Sequence, residues 1–269
     1  MDPDLVASYD ELPLWSAPFG LVLLDKVPIS APMTVLDIGC GTGFPLLELA
    51  QRLGPSSRVI GVDPWRAALS RCRDKARCYG ASGAHLLEGR SERLPFGDGC
   101  FDLIVSNNGL NNVSDQRRAL AECFRVAATP STLVATMNLP DTMHELYAAF
   151  GAVLAELGRA REIEAMQRQI ATMRKPRATT EAALGEAGFA IEGVDEHSFT
   201  MRFASAAALF SHHFIRLAFL PGWRGVVASD AVDAVFERLA ARLDDEAAKS
   251  GELRLTIPFA CYVASKRHA

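Results

Sequence analysis

Between Val35 and Pro45 the chain reads VLDIGCGTGFP: an apolar run holding one aspartate, Asp37, then glycine at Gly39, Gly41 and Gly43. A short apolar run rich in branched residues and closed by glycines reads as a buried strand. A helical pattern, PLLELAQRL, follows at once and stops at Gly54-Pro55. Glycines at a strand-to-helix turn let the backbone come closer to a ligand than side chains would permit. What the turn lacks narrows the ligand. A dinucleotide fingerprint needs its third glycine at position 44, where Phe44 stands. A phosphate loop ends in Gly-Lys-Ser/Thr, and no lysine lies in this turn. The turn suits close approach without suiting phosphate charge.

The same alternation continues downstream. RVIGVD, AHLLEG, FDLIVSNN and STLVATMN read as further strands, with helical patterns WRAALSRCRDKARCYG and DQRRALAECFRVA between them. Strands and helices alternating at this spacing predict an α/β fold, a doubly wound and mostly parallel sheet with helices on both faces. Such a sheet binds its ligand outside the carboxyl ends of its strands, at the switch point. That rule gathers Gly39–Gly43, Asp63, Arg90–Ser91 and Ser106–Asn108 around one crevice. Past Pro140 the pattern turns helical and charged. A capped helix ends at Gly188, AIEGVDEHSFTMRF reads as a strand, and helices are expected at about 204–217 and 226–248 before a last strand, ELRLTIPFACYVASK. The expected organisation is a helical lid over 1–30, a Rossmann-like core over 31–140, and a helical cap with the last two of seven strands over 141–269.

Composition excludes some classes. A net charge of −4 argues against a broad basic face, and hence against nucleic acid as partner. The acidic N-terminus lacks the order of a signal peptide, and no apolar window is long enough to span a membrane, so a cytoplasmic protein is expected. Six scattered cysteines without a CxxC pair read as free thiols, with no metal site.

Three ordered stretches, VLDIGCGTG, VIGVDPW and EGRSERLPFGDGCFDLIVSNNGL, together resemble the class I S-adenosylmethionine-dependent methyltransferases over residues 30–140, closest in style to the quinone and small-molecule branch. The resemblance implies S-adenosyl-L-methionine as cofactor and S-adenosyl-L-homocysteine as product. The cofactor carries an amino-acid tail, a ribose and an adenine but no phosphate, which agrees with the turn. Its tail is expected against Gly39, Cys40, Gly41 and Gly43. The free N–H groups of the helix starting near Pro45 favour its carboxylate. The resemblance implies that Asp37 orients the amino end, with the carbonyls of Gly39 and Asn107 accepting from it. Asp63 stands where a carboxylate accepts both ribose hydroxyls, although Asp before Pro64 also suits a turn. Pro64 and Trp65 offer the adenine an apolar wall; for Trp65, packing at a helix start is an equal reading. One position departs from the family: its usual Gly-Asp-Ala is Gly89-Arg90-Ser91 here. Arginine has no acceptor, so the adenine amino contact falls to Ser91, Glu92 or backbone, while Arg90 can stack on the ring.

Methyl transfer from a sulfonium needs alignment and exclusion of water more than a catalytic side chain. A base is needed only for a protonated nucleophile. His212 and His213, in the aromatic ALFSHHFIRLAFLPGW, are the candidate catalytic bases, although such histidines are also common as packed helix residues. The Asn/Asp-Pro-Pro-Tyr/Phe run of amino-directed nucleic-acid methyltransferases is missing after FDLIVSNN. Tyr9 and Trp15 are expected in the lid over the cofactor. The function expected is methylation of a small apolar or aromatic molecule by a monomer or homodimer. The rival is a non-catalytic regulatory module that binds S-adenosylmethionine or S-adenosylhomocysteine. The apolar stripe Val232, Val235, Phe236, Leu239, Leu243 suits packing on the cap or a dimer interface, and GRAREIEAMQRQIATMRK suits a solvated helix face.

Overall fold

The computed structural model describes residues 14–267. Helix α1 (Ser16–Lys26) leads into β1 (Thr34–Ile38), α2 (Leu46–Leu53), β2 (Arg58–Asp63), α3 (Arg66–Tyr79), β3 (Ala84–Glu88), β4 (Phe101–Asn107), α4 (Gln116–Val126) and β5 (Ala127–Asn138). Helices α5 (His144–Glu156), α6 (Ala160–Met173) and α7 (Arg177–Ala187) precede β6 (Ala190–Phe203). Then α8 (Ala206–Ser211), α9 (His213–Ala218), α10 (Leu220–Arg224) and α11 (Val232–Ser250) precede β7 (Leu253–Lys266).

The strands form one seven-stranded sheet in the order β3-β2-β1-β4-β5-β7-β6. The pairings from β3 through β5 are parallel, and β7 runs antiparallel to β5. The chain winds outward from β1 in one direction and restarts at β4 in the other, so the switch point lies between these two strands. Parallel strands covered on both faces read as unbroken apolar runs, and Val35, Leu36, Leu103, Ile104 and Val105 are all buried. One face packs Leu23 and Leu24 of α1 and Leu46, Leu47 and Leu49 of α2 against Val35, Val59, Leu103, Val105 and Val134. Each fully buried leucine there contributes about 1.5–3 kcal/mol. Asp115 caps α4 by accepting from the Arg118 amide at 3.0 Å. Gly54 and Gly80 end α2 and α3 with positive φ.

The chain divides into two units. One runs from the start of the described chain to Asn138, takes up Pro176–His197, and resumes at Phe259; the other is Leu139–Lys175 with Ser198–Pro258. In the second unit the expected stripe is buried within the unit itself. Val235, Phe236, Leu239 and Leu243 face inward, and the Phe236 ring meets Phe150 and Phe210, each at 5.7 Å between centroids.

Three expectations shift. The single helix over 204–217 is two short ones, because His212 takes an extended backbone (φ −58°, ψ 125°) and its ring packs edge-on against Phe203 at 5.6 Å. The helix expected from 226 begins at Val232, since a turn closed by the Ala231 amide on the Ala228 carbonyl at 2.9 Å comes first. On the charged stretch, α6 buries only Met166 among its own residues, but Arg174 at its C-terminal cap is buried rather than solvated.

Candidate functional site

The strand ends at the switch point enclose a cavity of about 320 Å³. Its floor is the turn after β1, where Gly39, Gly41 and Gly43 all have positive φ (74°, 51° and 106°). The three glycines have different causes. A Cβ on Gly39 would stand 2.6 Å from the Gly109 Cα, and one on Gly43 would stand 2.6 Å from the Cys72 Sγ. These two let the turn nest against the loop after β4 and against α3. A Cβ on Gly41 would meet nothing within 4 Å. Gly41 is the position whose bareness opens the cavity.

Asp63, at the end of β2, holds this turn. Its Oδ2 accepts from the Gly41 amide at 2.9 Å and its Oδ1 from the Trp65 amide at 2.7 Å. Burial raises its pKa, and those two amides pull it back. Each oxygen keeps a further lone pair, and the carboxylate lines the cavity. Asp37 is the opposite case. It is fully buried in β1, and neither carboxylate oxygen has a hydrogen-bond partner. Burial first, then the charge of Asp63, pushes its pKa up to about 8, with the nearby Leu46 amide opposing. Burial and the same two aspartates also drive the Cys40 thiol well above its ordinary value.

The facing wall comes from β3 and β4. Glu92 is clasped by the loop before α4: its Oε1 accepts from Ser114 Oγ at 2.6 Å and the Ser114 amide at 3.0 Å. Burial raises the Glu92 pKa, but the hydrogen bonds from Ser114 and Asp115 outweigh it and hold the carboxyl below its ordinary value. Its Oε2 faces the Ser91 hydroxyl at 3.4 Å. The Asn107 side chain donates to the Ser16 carbonyl at 3.0 Å and accepts from Thr136 Oγ1 at 3.1 Å, so its amide ties α1 and β5 to the strand end. Ser106 Oγ donates to the Ile38 carbonyl at 2.9 Å and accepts from the Leu110 amide at 2.9 Å, joining the ends of β1 and β4.

Of the residues picked from sequence, Gly39, Cys40, Gly41, Asp63, Pro64, Trp65, Arg90, Ser91 and Asn107 line this cavity together. Asp37 and Gly43 are not among the lining residues; Gly43 packs against α3. Trp15 is buried beside Phe19, with ring centroids 5.5 Å apart, and its neighbour Ser16 reaches the cavity instead. Tyr9 lies outside the described residues. His212 and His213 belong to the second unit and do not line this cavity. His212 is half-buried, and burial, then His213, lowers its pKa; His213 is exposed, with its Nδ1 3.1 Å from Arg216 Nη2.

Sequence reasoning missed Ile38, Phe44, Val62, Gly109, Val113 and Ser114 as lining residues. Gly109 had a readable signal, a glycine directly after SNN, and a Cβ there would strike the Ile38 carbonyl at 2.2 Å. Among the described residues no helix is long and apolar enough to cross a membrane, and no group of three or more His, Cys, Asp or Glu could hold a metal.

A family model described as a methyltransferase domain matches residues 29–183. The demethylmenaquinone methyltransferase of Lactococcus lactis is 30% identical over 160 residues, which is 57% of this chain and 61% of that enzyme. The enzyme of the same name from Thermus thermophilus is 38% identical over 104 residues, 39% of this chain and 46% of its own. The chain thus spans about half the length of these curated relatives. Among solved structures, the YcgJ protein of Bacillus subtilis superposes with a TM-score of 0.60 at 18% identity, covering 94% of this chain and 99% of its own, a likeness of fold.

Proposed function

Because the chain belongs to the class I S-adenosylmethionine-dependent methyltransferase family, its methyltransferase domain lying within residues 29–183, we propose that the cavity binds S-adenosylmethionine and that the protein methylates a small apolar or aromatic molecule. The observation that carries this reading is the bare Gly41 beside the Asp63 carboxylate. A backbone without a side chain adjoins a bidentate acceptor, with no cation suited to a phosphate on the turn. The unpartnered Asp37 carboxylate in the strand that leads into this turn supports the same reading, since a buried acceptor without donors suits a cationic amino group.

In this assignment the turn from Gly39 to Gly43 holds the amino-acid tail and Asp63 accepts from the ribose hydroxyls. Pro64 and Trp65 wall the adenine. Ser91 Oγ and Glu92 Oε2 supply the acceptors that Arg90 lacks. The backbone carbonyls of Gly39 and Asn107 take the ammonium, since the Asn107 side chain is already engaged. The cofactor, when bound, supplies an electrophilic methyl group on a sulfonium. The chain's own contribution is orientation and exclusion of water. Where the nucleophile arrives protonated, His212 or His213 is the proposed proton acceptor. The names of the two curated relatives support an aromatic, quinol-like acceptor.

Calorimetry with S-adenosylhomocysteine, NAD and ATP should show binding of the first alone, and tight NAD binding would overturn the cofactor. A screen of phenols, quinols and amines with radiolabelled methyl donor should label a phenol or quinol. Strong cofactor binding with no acceptor labelled would favour the non-catalytic regulatory module instead.

A further inference from the structure

The second unit holds a buried cation that its own framework does not neutralise. Arg174 caps α6, its amide closing on the Ile170 carbonyl at 3.0 Å, and its residue is only 4% exposed. Among the described residues it forms no ion pair. Its guanidinium makes a single hydrogen bond, from Nη1 to Tyr147 Oη at 3.3 Å, and its Nε is sealed and donates to nothing. The same guanidinium lies over the Tyr147 ring, 5.2 Å from its centroid. Of the five N–H donors of this arginine one reaches a protein acceptor, and the Nε–H is buried without any.

The Tyr147 hydroxyl is arranged to the same end. It also accepts from Trp223 Nε1 at 3.1 Å. With two donors aimed at its oxygen, its own proton points elsewhere and meets no acceptor among the described residues. Trp223 is fully buried and stacks on Phe219 at 5.8 Å. Helices α5, α6 and α10 thus bring together a guanidinium whose one acceptor is a tyrosine hydroxyl and a phenolic O–H with no acceptor among the described residues, beside aromatic rings.

A buried charge without a partner is destabilising. An apolar side chain of similar length, such as methionine, would fill the space without that cost. An arginine here is explained by a ligand that brings the missing anion. The planar fork matches carboxylate and phosphate alike, but one guanidinium and one neutral hydroxyl balance a single negative charge. A phosphate monoester would remain half uncompensated. The rings suit an apolar or aromatic body.

We propose that Arg174 and Tyr147, with Trp223 positioning the hydroxyl, bind the carboxylate of an aromatic or arylaliphatic acid. This carboxylate site belongs to the second unit and is proposed independently of the methyltransferase reading above. The test is calorimetric titration of the full chain with matched pairs, benzoate against benzamide and 4-phenylbutanoate against 4-phenylbutanamide. The acids should bind at least about tenfold more tightly than the amides. Arg174→Met should abolish that preference and raise Tm, because it removes an uncompensated buried charge. Tyr147→Phe should reduce the preference severalfold, and Arg174→Lys, keeping charge but not the fork, should retain part of it. Wild-type protein that binds neither acid, or both members of a pair equally, overturns the proposal. So does Arg174→Met that keeps the preference. If Arg174→Met does not fold, the Tyr147→Phe and Arg174→Lys titrations decide alone, and a preference unchanged in both overturns it. S-adenosylhomocysteine titrated into the same samples separates the two readings. Its failure to bind wild-type protein defeats the methyltransferase assignment, while the acid–amide comparison still judges the carboxylate site.

Discussion

Among the described residues each unit buries one acidic or basic side chain that its framework leaves largely unmatched, and the two are of opposite kind. In the first unit the two buried Asp37 oxygens accept no hydrogen bond; in the second, Arg174 reaches only the Tyr147 hydroxyl and its buried Nε donates to nothing. Two other residues of the same kinds are treated otherwise. Arg125, also an arginine, engages all its nitrogens, with Glu122 Oε1 and Oε2, Asp98 Oδ1 and the carbonyls of Leu94 and Phe96 at 2.7–3.0 Å. Asp63, also an aspartate, engages both oxygens. Arg125 is only half-buried, but the buried Asp63 shows that the fold can satisfy a buried carboxylate. Under the two proposals above, the missing partner at each place comes from outside the chain, a cationic amino group toward Asp37 and a carboxylate at Arg174.

The strongest way to break that comparison is to titrate Asp37. Its folded pKa is raised from 3.8 to about 8, so between those values the folded state holds a proton that the unfolded state has lost. Stability must then fall as pH rises through that window and level off above it. Over three pH units the slope of about 1.4 kcal/mol per unit gives a loss of up to about 4 kcal/mol. Denaturant unfolding of the ligand-free protein from pH 5 to 8 should show that loss relative to Asp37→Asn, which has no such proton. Parallel curves for the two proteins would mean that Asp37 is satisfied after all. Second in size is Asp63→Ala. It frees the Gly41 and Trp65 amides and removes the proposed ribose acceptor, and charge-assisted hydrogen bonds of about 1.5–3 kcal/mol predict a loss of S-adenosylhomocysteine affinity of about a hundredfold. Calorimetry reads it directly, and an unchanged affinity removes Asp63 from the site.

The two arginines then give effects of opposite sign. Arg125→Met breaks a partly exposed network and should lower stability by about 2 kcal/mol. Arg174→Met should raise it by about 1 kcal/mol. Thermal unfolding of both variants checks the pair, and a loss at both positions would place Arg174 in the framework with Arg125.

The first of these regions was legible in the sequence and the second was not, for physical reasons. Gly39, Gly41, Gly43 and Asp63 sit at strand ends, and a parallel sheet brings strand ends together whatever the intervening helices do. What each glycine touches could not be read, because Gly109 and Cys72 are distant in sequence and only the fold brings them near. Arg174 follows a run of charged helix residues, and that pattern reads as solvated. Its burial depends on Tyr147 and Trp223, which lie 27 and 49 positions away on other helices. No periodicity encodes such a meeting. His212 illustrates the same limit: an edge-on contact with Phe203 outweighs the local helical pattern, so the helix stops there.

A matched pair of glycines sharpens the comparison most cleanly, because it holds the backbone cost constant. Gly41 in the first unit and Gly158 in the second have similar left-handed φ values, 51° and 65°, and a Cβ on either would meet nothing within 4 Å. Alanine at either position should therefore cost about 1–2 kcal/mol of stability through backbone strain alone. Only at Gly41 does the added methyl enter the cavity, and there it should also weaken S-adenosylhomocysteine binding about tenfold, while Gly158→Ala leaves binding untouched. Equal stability losses with unequal affinities would separate the glycine that serves the ligand from the glycine that serves the chain. If Gly41→Ala bound as tightly as the parent, the open space above it would belong to the turn's geometry and not to the cofactor.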